Sequence, residues 1–169
     1  MSEAGAGELR IPAGCATVTS RPPRGAVAIA ASRFNADVVQ RLLDGAVARL
    51  EELGTGRDQV TVALVPGAWE LPLACSRLAA SGRYQALVGL GCVVRGGTPH
   101  FQYVCNETAR GIARVSLDSG VPIGFGVLTC DTHEQALERS GGRHGNKGAE
   151  AVDAALEMAG LLAALPGAG

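Results

Sequence analysis

The sequence predicts an α/β fold of three layers, in which helices cover both faces of a four-stranded parallel sheet. Apolar segments of strand length alternate with helical segments four times along the chain. Each apolar segment is a near-continuous hydrophobic run, which is typical of strands buried on both faces. Because ligands bind beyond the carboxyl ends of such strands, we expect functional residues in the loops that follow them.

Length and composition indicate one domain and exclude several classes of partner. A chain of 169 residues is long enough for a single domain with a substantial core. The net charge is -1 and the basic residues are dispersed, so we expect neither a nucleic-acid nor a membrane partner. The chain has no signal-peptide pattern and no run long enough to cross a membrane. Five cysteines without a C-x-x-C pair fit a reducing compartment, and we expect a cytoplasmic protein.

The chain divides into an arm, one domain and a tail. Residues 1–24 contain Gly, Ala and Pro, with a short extended patch at Cys15–Val18. We interpret them as an arm that is either loose or added as a strand to a neighbouring subunit's sheet. Residues 25–165 form the single domain, and residues 166–169 form a short tail.

The elements of the domain follow from apolar periodicity and from turn residues. Strand Gly25–Ala31 leads into helix Ala36–Leu53, in which apolar residues recur at helical spacing; Asn35 is its predicted N-cap and Gly54 ends it. A glycine-rich linker, 140–145, precedes the last helix. The whole pattern is flavodoxin-like. The remaining strands are Val60–Val65, Ala86–Val94 and Pro122–Leu128, and the remaining helices are Leu71–Ser81, His100–Asp118, His133–Arg139 and Asn146–Leu165.

A candidate anion site follows the third predicted strand. The segment 95–99 is an Arg-Gly-Gly-Thr-Pro turn that leads directly into a helix N-terminus. Exposed backbone N–H groups and the positive end of the helix dipole favour an anion there. His100 follows at once, and histidine is the side chain that titrates near neutral pH. The alternative is an ordinary turn in which Thr98 caps the helix and His100 is solvated.

Two other predicted strands end in aromatic residues. Phe34 is either a lid on the core or a platform for a flat heterocycle. Trp69 alone would be a packing residue. Glu70 either complements a helix dipole or, with the backbone of Gly67–Trp69, holds the hydroxyls of a sugar or polyol.

Two cations, Arg139 and Lys147, flank the glycine-rich linker. They form either a solvated basic patch or a phosphate clamp. The sequence contains no P-loop and no dinucleotide fingerprint. Its three histidines are far apart and lack metal-ligand spacing, so no metal is predicted.

Five segments together resemble the 6,7-dimethyl-8-ribityllumazine synthase family of riboflavin biosynthesis. The resemblance runs in order from about Gly25 to Leu162, and five motifs at matching spacings make it specific. The segments are 32–35 (SRFN), 65–72 (VPGAWELP), 91–103 (GCVVRGGTPHFQY), 126–132 (GVLTCDT) and 134–148 (EQALERSGGRHGNKG).

The resemblance implies an enzyme that condenses 5-amino-6-(ribitylamino)uracil with 3,4-dihydroxy-2-butanone 4-phosphate and releases phosphate and water, without a cofactor. His100 would move protons. The substrate-binding residues that it implies are Phe34, Asn35, Ala68, Trp69, Glu70, Cys92, Val93, Val94, Gly97, Thr98, Phe125, Arg139 and Lys147.

The resemblance also assigns roles to these residues. Phe34 would stack on the pyrimidine with Asn35 beside it, and the backbone of 93–94 would bind the uracil edge. Ala68 and Glu70 would hold the ribityl chain. Gly97 and Thr98 would receive the phosphate. In this family the site lies between subunits, so the neighbour would supply Phe125, together with Arg139 for the phosphate and Lys147 for the heterocycle.

The resemblance implies assembly into pentamers. In the family that the chain resembles, some members close twelve pentamers into a shell, and an insertion in the linker before the last helix is associated with lone pentamers. Because this linker is short and lacks an insertion, the resemblance implies a 60-subunit shell. Four positions depart from the family's pattern: Cys92 and Cys130 replace frequent threonines, His133 replaces an apolar residue, and His144 is added. The rival hypotheses are a non-catalytic shell protein of the same fold and a flavodoxin-like protein that only binds phosphosugars.

Overall fold

Four parallel strands form the central sheet of the computed structural model, which describes residues 9–18, 20 and 25–167. They lie in the order β2-β1-β3-β4, and all three neighbouring pairs are parallel. The predicted parallel sheet is therefore confirmed. The strands are β1 (Val27–Ser32), β2 (Val60–Val65), β3 (Ala86–Val94) and β4 (Ile123–Cys130).

Within residues 25–167, five α-helices alternate with these strands. Each helix begins and ends within one residue of its predicted bounds, because the apolar periodicity and the glycine stops locate it closely. The helices are α1 (Ala36–Glu52), α2 (Leu71–Ala80), α3 (His100–Ser119), α4 (His133–Arg139) and α5 (Lys147–Ala164).

The helices form the two outer layers of an αβα sandwich. Helices α1 and α5 share one apolar cluster with the sheet, and α2 and α3 share another on the opposite face. Leu42 of α1 and Leu71 of α2 are completely buried, and burial of a side chain of this size contributes roughly 1.5–3 kcal/mol. The predicted three-layer, flavodoxin-like architecture is confirmed.

Strand β2 is less buried than its sequence predicts. Val62 is 41% and Leu64 is 62% exposed, although the near-continuous apolar run indicated burial on both faces. The reason is position: β2 is an edge strand of the sheet, and the α1 and α5 cluster ends at its first residue, Val60. One apolar face of β2 therefore lacks a cover in the protomer.

The linker before α5 is a small hairpin, which the sequence analysis missed. Strand β5 (Ser140–Gly142) pairs antiparallel with β6 (Gly145–Asn146). Gly141 and Gly145 have positive φ angles, 112° and 72°, which glycine adopts without steric cost. The hairpin joins the end of α4 directly to the start of α5.

The described part of the arm is exposed. Residues 9–18 contain a turn at 13–14 and otherwise neither helix nor strand, so the extended patch predicted at Cys15–Val18 is not a strand within this protomer. Ser20 Oγ donates a hydrogen bond of 2.8 Å to the Glu157 carbonyl of α5. Residues 1–8, 19, 21–24 and 168–169, which include much of the predicted arm and half of the predicted tail, lie outside the described residues. Over the described ranges, no helix is both long and apolar enough to cross a membrane.

Candidate active site

A cavity of about 310 Å³ lies where β1, β2 and β3 end, against the first turn of α3. We call it the first cavity. It brings together nine of the residues predicted for the site, so the expected convergence of strand ends is confirmed at three strands. These residues are Phe34, Asn35, Ala68, Trp69, Cys92, Val93, Val94, Thr98 and His100.

Phe34 presents an aromatic ring to this cavity. The chain beyond β1 continues to pair with the end of β2, because the Arg33 N–H donates to the Val65 carbonyl and the Phe34 N–H to the Pro66 carbonyl. The backbone of Phe34 is thus fixed while its side chain is 71% exposed. The ring therefore does not cover the core and is open to the cavity.

Asn35 occupies the predicted N-cap position of α1 but does not cap the helix with its side chain. Its φ is 56°, in the left-handed region. From that conformation its Nδ2 donates a hydrogen bond of 2.9 Å to the Cys92 carbonyl at the end of β3. Asn35 is thus the N-cap residue of α1, as predicted, but its side chain ties the loop after β1 to β3 instead of capping the helix.

The loop after β2 is a short 3-10 helix, 68–70, that places Ala68 and Trp69 at the cavity. Ala68 is buried, and its carbonyl accepts a hydrogen bond of 3.1 Å from the buried Thr108 hydroxyl of α3. Trp69 is 57% exposed. Glu70 does not line the cavity, since its Oε2 accepts a hydrogen bond of 2.9 Å from the Gly67 N–H.

At the end of β3, Val93 and Val94 line the cavity and are half-buried. Cys92 is 2% exposed and packs in the α1 and α5 cluster. Burial raises the pKa of its thiol to about 12, so the group stays protonated at neutral pH.

The N-terminus of α3 is uncapped by any side chain. Pro99 is its N-cap residue, and no side-chain cap hydrogen bond is made, so the alternative in which Thr98 caps the helix is wrong. Gly96, Thr98 and the exposed His100 all line the cavity beside this 20-residue helix. Gly97 lies between two lining residues. The free N–H groups and the helix dipole favour an anion at this position.

Phe125, Arg139 and Lys147 do not reach the first cavity. They line a second cavity of about 770 Å³ along edge strand β4, between α4 and α5. Over the described residues, the two cavities have no lining residue in common. Arg139 is half-buried and its Nη1 donates to the Gln135 carbonyl at 3.1 Å. Lys147 Nζ lies 2.7 and 2.9 Å from the two carboxylate oxygens of Glu150.

Several residues that line the two cavities were not predicted from the sequence. Phe101 and Val104 follow His100 at helical spacing, and this periodicity could have identified them. Phe101 also supports Arg95, whose guanidinium lies 4.4 Å from the ring centre and forms an ion pair with Asp131. In the second cavity, Cys130, His144 and Glu150 were not assigned to substrate.

The first cavity is lined by an exposed aromatic ring and by a histidine at a helix N-terminus, and the second is lined by a pair of cations. The model of the 6,7-dimethyl-8-ribityllumazine synthase family matches residues 25–163. The chain belongs to this family.

A protein named as a lumazine synthase is similar to this chain over most of the length of both. The protein of Desulfovibrio desulfuricans (strain ATCC 27774 / DSM 6949 / MB) that is named 6,7-dimethyl-8-ribityllumazine synthase is 53% identical over 131 residues. The match covers 78% of this chain and 84% of that protein. The resemblance inferred from the five motifs is thus confirmed.

The residues that depart from the lumazine synthase pattern lie in different parts of the structure. Cys130 and His144 line the second cavity, whereas His133 lines neither of the two. His133 Nε2 lies 2.7 Å from Asp37 Oδ2 and joins the starts of α4 and α1. Desolvation acts to raise the pKa of Asp37, but hydrogen bonds from His133 and from the backbone outweigh it and hold that pKa below its usual value. In the described parts of the chain, no group of three or more His, Cys, Asp or Glu side chains is placed to hold a metal ion.

Proposed function

We propose that this chain condenses 5-amino-6-(ribitylamino)uracil with 3,4-dihydroxy-2-butanone 4-phosphate to form 6,7-dimethyl-8-ribityllumazine, phosphate and water, the penultimate step of riboflavin synthesis. Membership of the lumazine synthase family supports the reaction. The observation that carries the proposal is the first cavity. The exposed Phe34 ring lines it, and so does His100 at the uncapped N-terminus of α3.

The pyrimidine binds against Phe34 in this proposal, with its edge on the backbone of Val93 and Val94. The ribityl chain lies along Ala68 and Trp69, toward Glu70. Support comes from the lining of the cavity and from the mainly apolar side chains around it. Glu70 would then bind a hydroxyl with the oxygen that its bond to the Gly67 N–H leaves free.

The phosphate of the second substrate binds to the N–H groups of Gly97 and Thr98 at the start of α3. Arg139 and Lys147 of a neighbouring subunit complete the anion site. Arg139 suits that role because its guanidinium pairs with no carboxylate in the described part of the chain and a fork of N–H donors fits a phosphate. Phe125, also at the second cavity, closes the site from the same neighbour.

The chemistry needs proton transfer and orientation. The 5-amino nitrogen attacks the ketone carbon and forms an imine with loss of water. Loss of the proton from C3 then expels phosphate from C4, and the enol that results tautomerises to a new carbonyl at C3. The ribitylamino nitrogen attacks the remaining carbonyl and closes the ring with loss of a second water. His100 exchanges protons with the nitrogen and oxygen atoms involved, which contributes about 10²–10⁴-fold, and juxtaposition of the two substrates supplies much of the rest.

The protomers assemble into pentamers, and we propose that twelve pentamers close into a 60-subunit shell. Three features support assembly: the two halves of the site lie in separate cavities, β2 leaves an apolar face uncovered, and the hairpin 140–146 is short. The arm of residues 1–24 would add a strand to a neighbour's sheet at such an edge. Light scattering that gave particles of pentamer size only would exclude the shell.

The location proposed is the cytoplasm. All five cysteines are free, and three of them are buried thiols, as is usual for a protein of a reducing compartment. Fractionation of cells that express the full chain tests this, and recovery in a secreted or membrane fraction would contradict it.

The direct test of the reaction is to mix both substrates with the protein and follow lumazine absorbance together with phosphate release. Equal amounts of lumazine and phosphate are expected. Binding of phosphate without product would favour the phosphosugar-binding hypothesis, and an assembled shell with neither property would favour the non-catalytic one.

Two variants test the roles assigned to the anion site. His100→Ala should lower kcat without abolishing turnover, because binding and juxtaposition remain. Arg139→Ala should mainly raise the KM for the butanone phosphate, by about tenfold or more for a lost charge-assisted pair. Steady-state kinetics with each substrate varied separately measures both effects. An unchanged KM for the phosphate substrate in Arg139→Ala would reject the clamp.

A further inference from the structure

Asn146 lies between the two cations of the second cavity. It pairs with Ser140 at the base of the β5 and β6 hairpin, and the residues directly outside that pair are Arg139 and Lys147. Arg139 is the last residue of α4 and Lys147 is the first residue of α5, so the hairpin joins the two helix ends that carry the cations. Whatever fixes Asn146 therefore also sets where Arg139 and Lys147 stand relative to each other.

The Asn146 side chain makes three hydrogen bonds to backbone groups. Its Oδ1 accepts from the Gly148 N–H at 2.9 Å and from the Ala149 N–H at 3.2 Å, which caps α5. Its Nδ2 donates to the Arg41 carbonyl of α1 at 2.8 Å. One amide thus joins the hairpin, the start of α5 and the middle of α1.

Two glycines make room for this contact. A Cβ atom on Gly45 of α1 would overlap the Asn146 amide, and a Cβ atom on Gly148 would overlap the Leu42 carbonyl. Glycine in the middle of a helix costs about 1 kcal/mol relative to alanine, so Gly45 is unfavourable for α1 on its own. Glycine at position 45 is explained by the Asn146 amide, which occupies the space that a Cβ atom would need.

We propose that Asn146 is a positioning residue that, seated against Gly45, holds Arg139 and Lys147 at the spacing needed to bind the phosphate substrate of the neighbouring subunit. The inference rests on the proposed function, because that function gives the two cations their ligand. Asn146 itself touches no substrate. It acts through the hairpin and through the first turn of α5.

Two variants disturb this contact without changing a residue assigned to substrate. Asn146→Asp keeps an oxygen for the Gly148 and Ala149 N–H groups but replaces the donor to Arg41 with a second acceptor. Gly45→Ala leaves Asn146 intact and places a methyl group where its amide lies. The control is Gln40→Ala, which removes an exposed hydrogen bond to Asp44 on the same helix and contacts neither cavity.

The measurements are the affinity for inorganic phosphate by titration calorimetry, the KM for each substrate, particle size and the midpoint of urea unfolding. In both variants we expect the phosphate affinity to fall, and the KM for the butanone phosphate to rise, by about fivefold or more, as for one lost hydrogen bond. The KM for the pyrimidine should stay within twofold. Gln40→Ala should match the wild type in all four measurements.

Two results would overturn the proposal. One is a phosphate affinity and KM within twofold of the wild type in both variants. The other is a loss of affinity for both substrates together with a loss of assembly or a large fall in the unfolding midpoint, since Asn146 would then serve the fold alone. If the wild type bound phosphate without forming lumazine, the proposed reaction would fail while calorimetry would still decide the role of Asn146.

Discussion

Asn35 combines an unfavourable backbone conformation with a favourable side-chain contact. Its φ of 56° is one that residues with a Cβ atom adopt at a cost, although asparagine tolerates it better than most. Its Nδ2 holds the carbonyl of Cys92, the residue that precedes the backbone assigned to the uracil edge. Phe34, the proposed stacking platform, is the residue immediately before it. Substitutions at position 35 can separate the energetic cost of the left-handed backbone from the contribution of the hydrogen bond to Cys92.

We expect Asn35→Ala to be less stable than Asn35→Gly, which reverses their usual order. Both variants lose the bond to Cys92, worth about 1 kcal/mol, and only alanine adds the cost of a left-handed conformation, about 1–2 kcal/mol. Urea unfolding gives the difference in free energy of unfolding. Both variants should raise the KM for the pyrimidine. An alanine variant more stable than the glycine variant would contradict this account of the turn.

The buried thiols should be unreactive in the native protein. Burial raises the pKa of Cys75 and of Cys92 to about 12, which favours the protonated form, so at pH 8 only about one thiol in ten thousand is a thiolate. Iodoacetamide labelling at pH 8, read by mass spectrometry, should leave both residues unmodified. All five cysteines should react in guanidinium, which is the control. Rapid native labelling of Cys92 would show that the first cavity opens more than its burial indicates.

At the scale of elements, α3 both lines the first cavity with its first turn and supports the loop after β2. Its first turn carries His100, and two turns later Thr108 supports the Ala68 carbonyl of the neighbouring loop. Thr108 is 1% exposed, so that bond forms away from water. The helix therefore links the position of the loop after β2 to the position of His100.

Thr108→Val should destabilise the protein by about 1–3 kcal/mol, although valine has nearly the same shape, because the Ala68 carbonyl loses its donor in a buried place. It should also raise the KM for the pyrimidine. Thr108→Ser is the matched control, since it keeps the hydroxyl and loses only a methyl group. Chemical unfolding and kinetics measure both effects, and a valine variant as stable as wild type would show that the bond is dispensable.

Element bounds were predictable where local patterns determine them. In β3, nine apolar residues end at the Arg95 to Pro99 turn, and the strand has the predicted limits. The hairpin 140–146 was missed because strands of three and two residues are too short to show a period. The bond from Asn35 was missed because its partner is 57 residues away along the chain. The apolar pattern of β2 predicts burial, yet what covers Leu64 is not part of the described protomer.

At the scale of the whole molecule, the residues assigned to one reaction lie in two separate places. Nine line the first cavity at the ends of β1, β2 and β3, and three line the second cavity along β4. The family resemblance implied this division, and the coordinates show the two groups of residues in separate cavities of one chain. A site shared between protomers brings the groups together without any change within the chain.

Mixed assemblies of two defective variants test whether the site is shared. His100→Ala and Arg139→Ala protomers should be unfolded, mixed in equal amounts, reassembled and assayed far below saturation with the butanone phosphate. If each site takes His100 from one protomer and Arg139 from its neighbour, roughly a quarter of the sites are intact and activity rises well above either variant alone. Each variant reassembled by itself is the control. Activity that only averages the two would place both residues of a site in the same chain.

The uncovered face of β2 also bears on how the protein is made. As an edge strand, β2 exposes apolar side chains and a row of unpaired peptide groups to water at the margin of the sheet. Any strand with a compatible surface competes for that margin, including one from a misfolded neighbour. If protomers assemble through this edge as proposed, the yield of refolding should depend on protein concentration. Dilute chains would keep the edge exposed for longer, and concentrated chains would aggregate more often.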